Sequence, residues 1–275
     1  MISIRFHDLS RNFSDDTRSG SCIQALFFWS KRGGRRSKTV DCEDCLTNLE
    51  MHPPMLHYRL SGPPFLVRGE AMQLIGMMDS PYVRRVAISL HVLGMPFEHR
   101  SVSVFRHYDE FAQINPVVKA PTFIDDDGTL LIDSTLILDY LDRKVPAARR
   151  LMPEEAQERT FALRVNGFAL AAMEKTVQQV YERQLRPKER QHEPWFERVN
   201  AQMHAAYAVL DQLLGGRAGW LCAGRITQAD ITAAVAWRFT QHILPGVADP
   251  ARYPALAAHS ARAEALPEFV ATPLE

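Results

Sequence analysis

The sequence predicts an α/β domain of order βαβαββα followed by an all-helical domain. Three observations carry the prediction. From Met72 onward, short apolar strands alternate with helical spacing and with one hairpin signature. After Val145-Pro146 the apolar spacing is helical throughout. The chain has 275 residues, 46% hydrophobic and 23% charged, which suits one large or two medium domains.

The elements follow in order. Met72-Gln-Leu-Ile-Gly-Met77 is a short apolar strand leading into Asp79-Ser80-Pro81. A helix over about 81–93 places Val83, Val86, Ala87 and Leu90 on one stripe. Pro81 stands where a first-turn proline is tolerated, and Gly94 supplies the stop. Phe97 to Val104 alternates as a strand, and a short helix over about 107–113 precedes Asn115-Pro116. Pro121-Thr-Phe-Ile124 and Thr129-Leu-Leu-Ile132 flank Asp125-Asp-Asp-Gly128, a hairpin pattern. Ser134 then reads as the cap of a helix running to about Arg143.

Beyond Pro153-Glu-Glu a helix is expected to run to Leu185, with Phe161, Val165, Phe168 and Ala172 on one side. Another starts at Pro194 and ends at Gly215-Gly216. Thr227-Gln-Ala-Asp230 has the form of a capping box opening a third, whose buried stripe is Ile231, Ala234, Val235 and Phe239. Asp230 is therefore a capping group and not a catalytic acid. Pro254 and Pro267 open shorter pieces.

Residues 1–71 differ in character. Lys31-Arg-Gly-Gly-Arg-Arg-Ser-Lys38, Met51-His-Pro-Pro and Ser61-Gly-Pro-Pro64 leave no room for a long periodic element. Asp15 and Asp16 precede the apolar run at 22–29 and the basic cluster follows it, the reverse of a secretory leader. A purine-rich coding stretch at Gly69-Glu70 would suit a translation start at Met72. The expected organisation is a low-order extension over 1–71, a first domain over 72–147 and a helical domain over 153–275.

Composition excludes several classes. Lys+Arg and Asp+Glu are both 32, so the basic excess of a dedicated nucleic-acid binder is missing. No run reaches the roughly 18 apolar residues a membrane helix needs. Four cysteines in a chain this long do not make a disulfide scaffold, and Cys42-Glu-Asp-Cys45 has no second pair with which to hold zinc. The ten histidines show no metal-ligand spacing, so no metal is expected.

Four segments, in this order and over this spacing, carry a resemblance: Ser80-Pro-Tyr-Val-Arg-Arg-Val86, Asn115-Pro-Val-Val-Lys-Ala-Pro121, Asp133-Ser134 and Ile226-Thr-Gln-Ala-Asp-Ile231. From Met72 to the end the chain resembles the soluble glutathione S-transferases of serine type. The resemblance implies a thioredoxin-like first domain, a helical second domain, a cytoplasmic homodimer and glutathione as co-substrate. It also implies transfer of the glutathione thiolate to a small hydrophobic electrophile in detoxification, with neither nucleic acid nor membrane as partner.

It further implies roles for particular residues. A free thiol has a pKa near 8.5, so catalysis requires stabilising the thiolate. Ser80, at a helix start, would donate its hydroxyl to the sulfur, with Tyr82 as the rival hydroxyl. Pro121 would be cis, so that the backbone of Ala120 pairs with the cysteinyl segment. Asp133 would face the ligand's ammonium, Ser134 its γ-glutamyl carboxylate, and Lys119 its glycyl carboxylate. Val165, Phe168, Tyr181 and Trp237 would line the electrophile pocket or else belong to the core. Rival readings are a glutathione-dependent isomerase or dehalogenase on the same fold, and a non-catalytic regulatory protein. Asp79-Ser80-Pro81 stands where zeta-class isomerases carry Ser-Ser-Cys.

Overall fold

A computed structural model describes residues 71–217, 219–222 and 224–275. The expectations for residues 1–70, including the basic cluster, the CxxC pair and the start at Met72, lie outside the described residues.

The sheet has four strands in the order β2-β1-β3-β4: β1 (Met72–Ile75), β2 (Phe97–Arg100), β3 (Thr122–Ile124) and β4 (Leu130–Ile132). β1 runs parallel to β2 and antiparallel to β3, and β4 pairs antiparallel with β3. The parallel β1–β2 pair needs a crossover, supplied by α1 (Pro81–Leu93). Strand alternation then divides the core. Leu74 and Phe123 face α1 and α3 (Ser134–Arg143), while Ile75 and Ile124 pack with Phe111 of α2 (Tyr108–Ile114).

Two element ends differ from the sequence expectation. β2 stops at Arg100 because the chain turns: the Val102 amide bonds the Arg100 carbonyl at 3.0 Å, and Ser103 Oγ then accepts the amides of Phe105 and Arg106. The cap of α3 is Asp133, not Ser134. Asp133 Oδ1 accepts the Thr135 amide at 2.9 Å, and Ser134 is the first helical residue.

The helical layer comprises α4 (Ala156–Val180), α5 (Glu193–Leu214), α6 (Gln228–Ile243), α7 (Pro254–Glu264) and α8 (Pro267–Val270). α4 starts three residues after Pro153 because Glu155 caps it, accepting the amides of Gln157 and Glu158 at 2.9 and 2.7 Å. Its α-helical pattern ends at Val180 and passes into a π-helical turn over Tyr181–Leu185. The capping box at α6 is present. Asp230 Oδ2 accepts the Thr227 amide at 2.8 Å and its hydroxyl at 2.6 Å, while Oδ1 accepts the Leu221 amide. These bonds give Asp230 a structural role.

Sheet and helices share one core through α1. Arg84 grips Glu264 of α7 with two nitrogens at 2.6 Å and donates through Nε to the Thr272 carbonyl at 2.8 Å. Asp142, at the end of α3, accepts the amides of Leu151 and Met152 at 2.8 Å each and fixes the passage between the layers. No described helix is long and apolar enough to cross a membrane.

Candidate active site

A cavity of about 730 Å³ opens between the sheet and the ends of α4 and α6. Ser80, Lys119, Ala120, Pro121, Asp133 and Ser134, which lie far apart in sequence, all line it.

Ser80 caps α1 in extended backbone (φ −74°, ψ 121°). Its Oγ accepts the Val83 amide at 3.5 Å, a long bond to a lone pair, and donates its own proton to no partner among the described residues. No acidic residue lies in the first turn of α1, whose positive end faces the cavity with the Asp79 carboxyl just before its cap. A thiolate beside Ser80 would meet both a hydroxyl donor and this partial charge. Tyr82 also lines the cavity, and burial pushes its phenol up to about 12, so it stays protonated at neutral pH. Asp79, which sequence reasoning passed over, lines the wall beside Ser80. Burial, reinforced by Glu275, raises its carboxyl above 3.8 against the opposing pull of Arg106 and His242.

The Ala120–Pro121 peptide is cis. Val118 (φ 50°) and Asp133 (φ 73°), at the cavity, both hold left-handed backbone, a conformation that costs residues with a Cβ roughly 1–3 kcal/mol each. Lys119 Nζ lies 3.5 Å from Asp133 Oδ2, with both groups about half exposed. An exposed pair of this kind is worth at most about 1 kcal/mol, so each partner can exchange the other for a ligand charge.

Beneath Ser134 lies a group with no counterpart in the sequence reading. Arg85 is 1% exposed. Its Nη1 donates to Ser134 Oγ at 3.1 Å and Thr135 Oγ1 at 3.3 Å, and its Nη2 donates to Thr232 Oγ1 at 3.1 Å. Its Nε has no partner among the described residues. Burial lowers its pKa to about 10, with Asp133 and Tyr82 opposing, so it is charged at neutral pH. A guanidinium held by hydroxyls alone leaves positive charge directed at the cavity floor. The bond it gives Ser134 Oγ also turns that hydroxyl's own proton elsewhere.

The structure divides the four residues named for the electrophile pocket or the core. Tyr181 lines the cavity, but Val165 and Trp237 are buried in the shared core, and Phe168 packs against it from α4. The reason is helical phase. The apolar stripe 161–165–168–172 is the face α4 turns to the core, whereas Gly167, Leu170, Glu174 and Val177 face the cavity. Phe105, Phe239 and Ile243 complete that wall. Phe105 sits in an irregular loop, where periodicity carries no signal.

Two other chemistries find little support among the described residues. Asp125, Asp126 and Asp127 bring three carboxylates together, but Lys144 already sits there, bonded to Asp125 and 3.8 Å from Asp126. The Cys222 thiol is buried, and desolvation pushes it up to about 11, so it is not poised for redox work.

A thioredoxin-like sheet, a cis-proline loop and a helical layer meet around one cavity over a helix-capping hydroxyl, the frame of a thioredoxin-like domain followed by a helical one. The comparisons agree. Residues 74–149 match the glutathione S-transferase N-terminal domain, and residues 193–262 match the C-terminal domain. The chain superposes on a glutathione S-transferase from Methylobacterium radiotolerans, solved with glutathione sulfonate. The TM-score is 0.69 and the identity 29%, over 74% of this chain and 95% of that one. It is 29% identical to a probable maleylacetoacetate isomerase of Vibrio cholerae, over 71% of this chain and 92% of that protein. Its similarity to glutathione S-transferase U4 of Arabidopsis thaliana is 30% but spans only 34% of this chain and 42% of that protein. The chain belongs to the glutathione S-transferase family.

Proposed function

We propose that the protein is a glutathione transferase that adds the glutathione thiolate to a small hydrophobic electrophile. The observation that carries the reading is the placement of Ser80 Oγ at the N-terminus of α1, in one cavity with Pro121, Asp133 and Ser134. Ser80 stabilises the thiolate. The backbone of Ala120 holds the cysteinyl segment, Ser134 with Arg85 beneath it holds the γ-glutamyl carboxylate, Asp133 meets the ammonium, and Lys119 meets the glycyl carboxylate. The active form is a cytoplasmic homodimer of the 72–275 region, for which a sedimentation mass of two chains at micromolar concentration is the check.

With 1-chloro-2,4-dinitrobenzene the thiol proton passes to water. The thiolate then attacks the ring carbon bearing chlorine, the C–S bond forms, and chloride leaves with the C–Cl pair. The test is the ultraviolet absorbance of bound thiolate against pH. A hydrogen bond to a charged group is worth roughly 1.5–3 kcal/mol, so Ser80→Ala should raise the pKa of bound glutathione by about one to two units. Turnover at neutral pH should fall by about tenfold or more, and be partly restored as pH rises. Identical titration curves for Ser80→Ala and the parent would reduce Ser80 to a helix cap.

One observation favours a second reading. The match to the Vibrio protein named as a probable maleylacetoacetate isomerase runs along nearly its whole length. Glutathione-dependent isomerisation of a cis-enedione acid would use the same thiolate as a reversible nucleophile. Turnover of maleylacetoacetate faster than of the chloro compound would select it.

A further inference from the structure

A second cavity, of about 380 Å³, opens between the chain after α5 and one face of α7. It shares no lining residue with the cavity that holds Ser80. Two guanidinium groups, Arg217 and Arg262, line it, and no carboxylate does among the described residues.

Both cations are held by neutral partners. Arg262 lies over the Trp220 ring at 4.8 Å, and its Nη2 donates to the Gly219 carbonyl at 2.7 Å and to His259 Nδ1 at 3.0 Å. His259 is 3% exposed, and burial lowers its pKa against the pull of Asp230, so the ring is neutral and accepts that bond. Its Nε2 meets the Asp230 carbonyl at 3.3 Å, which turns Nδ1 to Arg262. Arg217 lies over the Phe161 ring at 4.2 Å, and its Nε donates to the Leu213 carbonyl at 3.2 Å. Aromatic faces and carbonyls orient a guanidinium without neutralising it. Nη1 and Nη2 of Arg217, and Nε and Nη1 of Arg262, donate to no partner among the described residues. By contrast, Arg84, Arg150, Arg183 and Arg186 each meet a glutamate.

Like charges facing one cavity repel, and an anion between them removes that cost. A phosphomonoester carries a charge of about −1.5 to −2 at neutral pH and three terminal oxygens, enough for both guanidinium forks. The rest of the wall is apolar, with Leu214 and Leu221 on one side and Ala255 and Ala258 on the other.

We propose that this cavity binds a small phosphomonoester, with Arg217 and Arg262 gripping the phosphate and the alanine face of α7 covering an apolar body. The site is separate from the glutathione cavity and does not depend on it.

The experiment titrates phenyl phosphate into the full chain by calorimetry, alone and with saturating S-methylglutathione. Inorganic phosphate and benzoate are the comparison ligands, one sharing the phosphate and the other the ring. The parent should bind phenyl phosphate about fivefold or more tightly than either, and S-methylglutathione should leave that affinity unchanged. Arg217→Gln and Arg262→Gln should each weaken it by about tenfold or more. Ala258→Glu, which adds a carboxylate to the wall, should abolish it. Arg217 and Ala258 are exposed, so these two variants should melt with the parent even where Arg262→Gln loosens the loop. A parent that ignores millimolar phenyl phosphate, or binds it no better than inorganic phosphate, would overturn the site. So would binding that survives Arg217→Gln and Ala258→Glu. Displacement by S-methylglutathione would also overturn it, by placing the phosphate in the Ser80 cavity.

Discussion

On the sheet side of the cavity each polar group is placed by backbone: Ser80 by the cap of α1, Ala120 by a cis peptide, Asp133 by a positive φ. On the helical side the wall is side chains alone, Leu170, Val177, Tyr181 and Ile243, projecting from helices and a π-turn. A backbone-built surface tolerates few sequences, because caps, cis-prolines and left-handed residues each demand particular chemistry. A side-chain wall on a helix can be rewritten residue by residue at little cost to the fold. The first wall suits an invariant ligand and the second a variable one.

Four substitutions test this division, from the largest expected effect to the smallest. Ser80→Ala should lower kcat/KM by about tenfold or more for every electrophile alike, whereas Tyr181→Ala should only re-rank electrophiles; steady-state kinetics on an aryl halide and an alkyl halide would separate the two. Arg85→Met should weaken glutathione binding about tenfold in a calorimetric titration. It should also lower the melting temperature, because the hydroxyls of Ser134, Thr135 and Thr232 lose their donor. Should Arg85→Met instead unfold the protein, the guanidinium belongs to the scaffold and not to the ligand. Tyr82→Phe should leave bound-thiol ionisation unchanged within about 0.3 units, because Ser80 supplies the donor; a rise as large as that of Ser80→Ala would move the role to the protonated Tyr82 hydroxyl.

Asp125→Asn should alter stability and not turnover. Burial pushes this carboxyl up, but hydrogen bonds from Lys144 and Tyr140 outweigh it, and the net shift is below 3.8. A depressed carboxylate stabilises the fold above its unfolded pKa, and that contribution is lost as pH falls through the folded value. The gap in melting temperature between the parent and Asp125→Asn should therefore be constant near neutrality and close below about pH 4. A gap independent of pH would assign the effect to packing.

The same division explains what the sequence disclosed. The element order, the hairpin at Asp125–Gly128, the cap at Ser80 and the box at Thr227–Asp230 were legible because turns and caps have local chemistry. The cap of α3 was placed at Ser134, one position late, since both residue types cap helices and only the backbone angles separate them. Val165, Phe168 and Trp237 stayed open between pocket and core because an apolar stripe shows that a helix is buried, not which neighbour buries it. Arg85 went unnoticed for a related reason. α1 is buried nearly all round, and two arginines in a core helix look like a solvent face until the hydroxyls that receive them are in view.

That central helix has a consequence for recombination among relatives. Consecutive arginines on α1 are answered by distant segments: Arg84 by Glu264 and Thr272, Arg85 by Ser134 and by Thr232 of α6. A chimera joined between α3 and α4 would inherit the arginines, with Ser134 and Thr135, from one parent and Thr232, Glu264 and Thr272 from another. Swaps that keep a hydroxyl at 232 and an acid at 264 should yield folded proteins, while swaps that lose them leave a buried guanidinium short of acceptors. The two halves of this chain are chemically matched across α1.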